Sequence, residues 1–356
     1  MTLPFEPPLE PMLAKLEREI PQGPGWRYEP KWDGFRAIIF RDGGEVRIGS
    51  RGRKELQRYF PEVVEALKDA LPRRCTVDGE IVVAGSDGLE FELLQLRLHP
   101  AESRVRKLAE EIPAGYVAFD LLAQGSKDLR GSPLARRWDA LAAVLEPDRP
   151  DRALRRILKP GTDIVLTPQT SDVKVARRWF EELEGSGLDG VIAKADDLTY
   201  QPGKRAMVKV KHERTLDCVV AGYRIHKSGK GVGSLLLGLY DDRGVLHHVG
   251  AAGAFPVKER LVIQEKLRPL EGGAGFAEGT VLGGPSRWRS TEKEWIPLDP
   301  VLVCEVAYDH FQGGHRLRHL AQFLRWRPDR DPRSCTFAQA GLGAGPRYDL
   351  GAPGGG

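Results

Sequence analysis

The sequence predicts two unlike domains: a mixed α/β body as far as about Lys211, then a small all-β barrel. Three observations carry this expectation. The 356 residues exceed what one hydrophobic core ordinarily spans, so roughly two domains are expected. Up to Lys211 helical and strand periodicities alternate along the chain. From Asp217 onward five short strand patterns follow, interrupted by one helical pattern.

Taken in order, residues 1–20 hold prolines and acidic side chains where an export signal needs a basic start and an apolar run. No stretch approaches the roughly twenty apolar residues of a membrane span, and a cytoplasmic protein is expected. Asp33-Gly34 is a turn signal, glycine supplying a positive φ without steric cost, and residues 35–40 read as a strand. Asp42-Gly43-Gly44 turns the chain into a second strand over 45–51, and so short a loop places Arg36 roughly opposite Ser50. Arg36 and Arg51 are then expected to converge near Lys31, which sits at a strand entrance and not on a helix face. Helices are expected from Pro61, a first-turn proline, and over 133–145, where Leu134, Trp138, Leu141 and Leu145 form an apolar stripe. Another is expected over 172–184, with Thr170 or Ser171 as cap and Gly185 beyond its end. Between them, 77–84, 116–122, 190–194 and 206–211 read as strands. In Val208-Lys209-Val210-Lys211 the period of two sends both valines to the core and both ammonium groups to the opposite face.

Beyond a hinge over 212–215, strands are expected over 218–223, 234–240, 245–251, 301–308 and 323–327, with a helix over 257–267. Five short strands and a helix in this order suit an OB-fold, a small barrel often used on nucleic acid. The Gly- and Pro-rich stretch 271–285 reads as a loop, and 341–356 as a disordered tail. The expected domains are 1–211 and 212–334, with a flexible segment over 335–356.

Hydrophobic content of 41% and charged content of 29% suit an ordinary globular protein. Net charge is only +4, but basic residues cluster at Arg51-Gly52-Arg53-Lys54, Arg104-Val105-Arg106-Lys107 and 152–156. Such clusters permit contact with a phosphate backbone, but each taken alone more often forms solvated surface. Cys75, Cys218, Cys304 and Cys335 lie far apart and form no Cys-x-x-Cys pair, so neither a structural zinc nor a disulfide framework is indicated. His247-His248 lies inside a strand pattern, where neighbours face opposite sides, and both read as structural. There is no internal repeat or heptad run.

Chemistry concentrates at Glu29-Pro30-Lys31-Trp32-Asp33-Gly34-Phe35-Arg36. A lysine amine with an ordinary pKa near 10.4 is free in only about one molecule in a thousand at neutral pH, so a nucleophilic lysine needs neighbours that disfavour the ammonium form. Cations and a metal ion do this, and they also neutralise a phosphate under attack. The tetrapeptide Lys-Xaa-Asp-Gly decides nothing alone. Here it is followed in fixed order by Ser50-Arg51, Val77-Asp78-Gly79-Glu80, Ala118-Phe119-Asp120, Asp189-Gly190-Val191-Ile192-Ala193-Lys194, Val208-Lys209-Val210-Lys211 and Phe323-Leu324-Arg325-Trp326-Arg327.

With these motifs the chain resembles the covalent nucleotidyltransferases, and among them the ATP-dependent DNA ligases of the short bacterial ligase C type, relatives of the ligase domain of ligase D. The resemblance covers nearly everything from Pro11-Met12-Leu13-Ala14 to about Pro332. It implies a nucleotidyltransferase domain followed by an OB-fold, ATP as cofactor with Mg²⁺ or Mn²⁺, and nicked double-stranded DNA as substrate. A monomer, associated with the nucleoid and served by other repair or end-joining proteins, would fit it. By the same resemblance Lys31 attacks the α-phosphate of ATP, and Arg36, Arg51, Lys209 and Lys211 hold phosphate and sugar oxygens, with Lys209 or its neighbour depressing the Lys31 pKa. Phe119 stacks on adenine and Glu29 lies near the base amino group. Glu80 contacts the ribose or a metal-bound water. Asp189 stands where most relatives carry Glu; one methylene shorter, it suits a water-bridged magnesium contact. Arg325 and Arg327 align the pyrophosphate leaving group. Two other readings are an RNA ligase or RNA-capping nucleotidyltransferase, and a non-catalytic OB-type nucleic-acid-binding protein. An NAD⁺-dependent ligase shares Lys-x-Asp-Gly but would bring cysteine pairs and extra length absent here.

Overall fold

The structure, a computed structural model, describes residues 3–85, 88–146, 150–183, 186–276, 294–312 and 315–342. The chain divides into two compact units, 1–212 and 213–356.

Among the described residues the first unit carries ten strands: β1 (Leu13–Glu17), β2 (Trp26–Pro30), β3 (Phe35–Asp42), β4 (Glu45–Ser50), β5 (Arg74–Val82), β6 (Gly115–Gln124), β7 (Lys127–Asp128), β8 (Ile164–Leu166), β9 (Val191–Ala195) and β10 (Arg205–Val210). They form two sheets. One is ordered β1-β10-β9-β2; the other is ordered β4-β3-β5-β6-β7, with β8 beside β6. The helices among the described residues are α1 (Pro61–Ala70), α2 (Phe91–Leu96), α3 (Glu102–Glu111), α4 (Leu134–Leu145), α5 (Pro150–Ile157) and α6 (Val173–Glu182).

Strand alternation decides which side chains meet the helices. On β3, Ala37 and Ile39 join a core with Val63 and Leu67 of α1 and Leu141 of α4, whereas Ile38 and Phe40 enter a separate cluster with Met12 and Met207. A slip of one residue would exchange the two sets, so burial fixes this register firmly. That register differs by one from the expectation. Asp42 pairs with Glu45 across a two-residue Gly43-Gly44 turn, which places Ala37, not Arg36, opposite Ser50.

Gly34 is needed for a reason other than positive φ. A Cβ there would lie 2.1 Å from the Ile81 carbonyl oxygen, so glycine lets the Lys31 loop press against the β5 backbone. The α1 helix does begin with Pro61 at its first position. The cap of α6 is Asp172, whose carboxylate accepts from the Lys174 amide at 2.8 Å, and not Thr170 or Ser171. Thr170 instead exchanges backbone hydrogen bonds with Tyr28. Gly185 lies outside the described residues.

In the second unit β11 (Arg214–Ile225), β12 (Val232–Tyr240), β13 (Leu246–Gly253), β14 (Ile296–Tyr308) and β17 (Ala321–Trp326) close into a barrel ordered β11-β12-β13-β17-β14. The short β15 (Phe311–Gln312) and β16 (Arg316–Leu317) pair with each other, and α7 (Val257–Leu267) follows β13. This is the expected OB-fold. Three boundaries move. Arg214 and Thr215 already pair with Tyr308 and Ala307, so the barrel starts inside the expected hinge. Cys335 and Phe337 are buried in the barrel core and Leu342 packs on it, so a tail cannot begin at Cys335. Within the expected 271–285 loop, Glu271 bridges to Leu298, and residues 277–293 lie outside the description, as do 343–356.

All four cysteines are buried thiols. His247 and His248 part as neighbours on a strand do. His247 meets the Asp241 carboxylate at 2.9 Å, while His248 packs against Phe276 and burial pushes its imidazole down to about 3. Among the described residues no helix is long and apolar enough to cross a membrane.

Candidate active site

Lys31 follows directly on the end of β2. Its amide donates to the Gly190 carbonyl at 2.9 Å and its carbonyl accepts from the Asp189 amide at 3.2 Å, which ties the loop to the entrance of β9. That backbone clasp brings the side chains together. Lys31 Nζ lies 3.1 Å from Asp189 Oδ2, and Lys211 Nζ lies 2.7 Å from the same oxygen. Burial alone would push the Asp189 carboxyl up, but the Lys31 charge and the Lys211 hydrogen bond outweigh it and hold it below its ordinary value.

The amine opens into a cleft of about 310 Å³ between the two sheets of the first unit, within the range of small-molecule sites. Alternation supplies its lining. On β3 and β5 the faces opposite the helix-packed core present Arg36 and Glu80, and β6 presents Phe119. From the other sheet come Glu29, Lys194, Met207 and Lys209. Lys31, Arg36, Arg51, Glu80, Phe119, Lys194 and Lys209 all line this cleft.

Arg36 is less available than the sequence suggested. Its guanidinium makes a bidentate pair with the buried Asp78, both contacts at 2.7 Å, and its charge lies 4.3 Å from the Phe119 ring centroid. Against the effect of burial, Asp78 raises the Arg36 pKa. Asp78 also accepts from the Tyr200 hydroxyl at 2.6 Å. Arg36 is therefore a cation clamped in the cleft wall. Glu80 stands opposite it in the β3–β5 register. Burial pushes the Glu80 carboxyl up to about 7, against the pull of Arg36 and Lys31. A side chain at Gly79 would strike the Tyr116 ring at 2.4 Å, which keeps this strand close to β6 and fixes the height of Glu80.

Glu29 is buried, and its Oε1 lies 2.7 Å from Lys194 Nζ and 3.1 Å from Gln169 Nε2. Burial raises the Glu29 pKa and the Lys194 charge opposes it. Lys194 was not singled out from the sequence, although it closes one of the quoted motifs. It is only 2% exposed, pairs with Glu29 and stands 4.8 Å from the Phe119 centroid. The signal was present: a lysine inside a strand of apolar neighbours is rarely buried without a partner.

Val210 and, in part, Val208 enter a core cluster with Val191 and Ala193, while Lys209 lines the cleft and Lys211 reaches Asp189, as the period of two requires. Arg325 and Arg327 belong to the second unit. Arg325 pairs with Glu305 at 2.6 Å; Arg327 is held by Asp217 at 3.1 Å and Asp329 at 2.9 Å. The surface clusters are largely internally matched: Arg106 pairs with Glu102, Lys107 and Arg104 with Glu111, and Arg53 with Glu10.

A lysine beside a carboxylate in a cleft between two sheets, followed along the chain by a five-stranded barrel, is the arrangement of a nucleotidyltransferase domain succeeded in sequence by an OB-fold. Residues 11–211 match the family described as "ATP dependent DNA ligase domain", and residues 228–330 match "ATP dependent DNA ligase C terminal region". The chain is 53% identical to DNA ligase C2 of Mycolicibacterium smegmatis, over 95% of this chain and 96% of that protein. It is 51% identical to DNA ligase C of Mycobacterium tuberculosis, over 95% of each. A solved Lig E DNA ligase shares the fold at a TM-score of 0.53 and 19% identity, over 89% of this chain and 99% of that one. The chain belongs to the ATP-dependent DNA ligases, of the ligase C type.

Proposed function

We propose that this ligase seals nicks in duplex DNA through an AMP adduct on Lys31. The observation that supports it most is the position of the Lys31 amine, at the wall of the cleft and 3.1 Å from the Asp189 carboxylate. In the first step Lys31 Nζ bonds to the α-phosphorus of ATP while the bond to the bridging oxygen breaks and pyrophosphate leaves. Asp189, held between Lys31 and Lys211, orients the Lys31 side chain, and the proton that the amine sheds before it attacks leaves to solvent. AMP then passes to a DNA 5′-phosphate, and the neighbouring 3′-hydroxyl displaces it to form the phosphodiester.

Lys209, Lys211 and Arg51 hold phosphate and sugar oxygens, while Arg36, pinned by Asp78, supplies fixed positive charge beside Phe119. Phe119 and Glu29 form the nucleobase end of the cleft. Arg325 and Arg327 act on the pyrophosphate. Glu80 and Asp189 are the carboxylates available to a divalent cation. No group of three ligating side chains occurs among the described residues; Mg²⁺ keeps several waters, takes oxygens from substrate phosphates and needs few protein carboxylates. Such an ion would neutralise charge on the phosphates.

The test is covalent labelling with radioactive ATP. Lys31→Ala is expected to take no label, and so is Lys31→Arg, because a guanidinium stays protonated. Wild-type labelling in either variant refutes the assignment. Label from GTP in preference to ATP would favour a capping-type enzyme.

A further inference from the structure

Behind Glu29 lies a chain of polar side chains that the reaction itself does not need. Thr170 and Tyr28 exchange backbone hydrogen bonds of 3.0 and 2.8 Å, so the adjoining Gln169 is set against β2 on the face that carries Arg27 and Glu29. Arg27 Nη1 donates to Gln169 Oε1 at 3.1 Å, and Gln169 Nε2 donates to Glu29 Oε1 at 3.1 Å. Arg27 is itself anchored by Asp196 and lies 5.8 Å from the Trp138 ring centroid.

The chemistry of the partners fixes the amide. A guanidinium has only donors, so the Gln169 oxygen must face Arg27; the amide nitrogen then faces the carboxylate, which only accepts. Among the described residues both contacts of the Glu29 carboxylate, from Lys194 and from Gln169, fall on Oε1. Two donors converging on one oxygen restrict the rotation of the carboxylate plane and leave Oε2 outside both contacts.

We propose that Gln169, clamped between Arg27 and Glu29, is a positioning residue that sets nucleobase selectivity by fixing the Glu29 carboxylate toward an exocyclic amino group of a purine. This rests on the reading of Glu29 as the base-recognising end of the cleft. A carboxylate free to rotate still carries its charge but loses the direction of its acceptor. The consequence falls on binding of amino-bearing purines and spares the phosphate end, where Lys31, Asp189 and Lys211 stand.

The experiment measures single-turnover self-labelling of the full chain by ATP and by purine riboside triphosphate, which lacks the 6-amino group. Wild type is expected to favour ATP by about tenfold or more in KM, the worth of one charge-assisted hydrogen bond. Gln169→Leu should raise the KM for ATP about tenfold, leave that for purine riboside triphosphate and both maximal rates nearly unchanged, and so erase the preference. A cooperative urea transition, as in wild type, reports on folding. Gln169→Glu keeps the volume and the Arg27 contact while opposing Glu29 with a second carboxylate, and should lose the preference too. A wild-type preference surviving in either variant overturns the proposal, as does an equal loss on both nucleotides, or failure of both variants to fold. If wild type itself does not distinguish the two nucleotides, the Glu29 reading is what fails.

Discussion

Replacing Glu80 by glutamine is expected to make a more stable and slower enzyme, and the size of the effect follows from where the carboxyl sits. Burial raises its pKa from an ordinary 4.5 to about 7 in the folded chain, although Arg36 and Lys31 pull the other way. Between those two values the folded state binds a proton that the unfolded state has released. Stability therefore falls as pH rises from about 4.5 to about 7 and is level above that. At about 1.4 kcal/mol per pH unit, the folded chain at pH 8 carries a strain of at most ~3 kcal/mol from this one group. Solvent in the cleft screens it, so that figure is a ceiling. Glu80→Gln removes the charge and nearly keeps the shape. Urea unfolding of both proteins from pH 4 to pH 8.5 is the assay, because their difference cancels every other titrating group. The variant should gain nothing near pH 4 and up to ~3 kcal/mol near pH 8, with self-adenylation reduced at the higher pH. A stability difference that is constant with pH, or a wild type that is the more stable protein at pH 8, refutes the burial argument. So would a variant that adenylates at the full wild-type rate, as far as the role of Glu80 is concerned.

Asp189→Asn should cut self-adenylation at saturating ATP by about tenfold or more, because it loses the charged contacts that hold Lys31 and Lys211 in place, while Asp189→Glu should retain most of it; rapid-quench labelling decides, and an undiminished Asn variant removes Asp189 from the mechanism. Arg325→Ala with Arg327→Ala should lose most self-adenylation yet seal a pre-adenylated nick, since pyrophosphate exists only in the first step; because Arg327 also holds Asp217, equal loss on both substrates would mean that the pair supports the barrel or binds DNA. Asp120→Ala leaves the fully buried Arg137, now bonded at 2.7 and 2.9 Å, without its carboxylate. That should cost about 3–5 kcal/mol, and a loss below about 1 kcal/mol in urea unfolding contradicts it.

Much of this protein was legible in the chain because its signals are local. The helix at residues 257–267 and the strands around it announce themselves by periodicity, and the period of two in Val208-Lys209-Val210-Lys211 already sorts valines from lysines. Lys31 and the motifs that follow it could be read as one chemistry from their order alone. What the sequence could not fix is set by atoms distant in the chain. Asp78 captures Arg36 only because β3 and β5 pair in one register, and since β4 and α1 lie between those two strands in the chain, no local turn announces it. Gly34 is demanded by the Ile81 carbonyl across the fold, not by its own dihedral angle. Gln169 and Lys194 meet at Glu29 from separate stretches of chain. The ionisation of Glu80 and Asp189 rests on burial and neighbouring charge, which act through space at a few ångströms. Periodicity decides which face a side chain takes; only packing decides what it meets there.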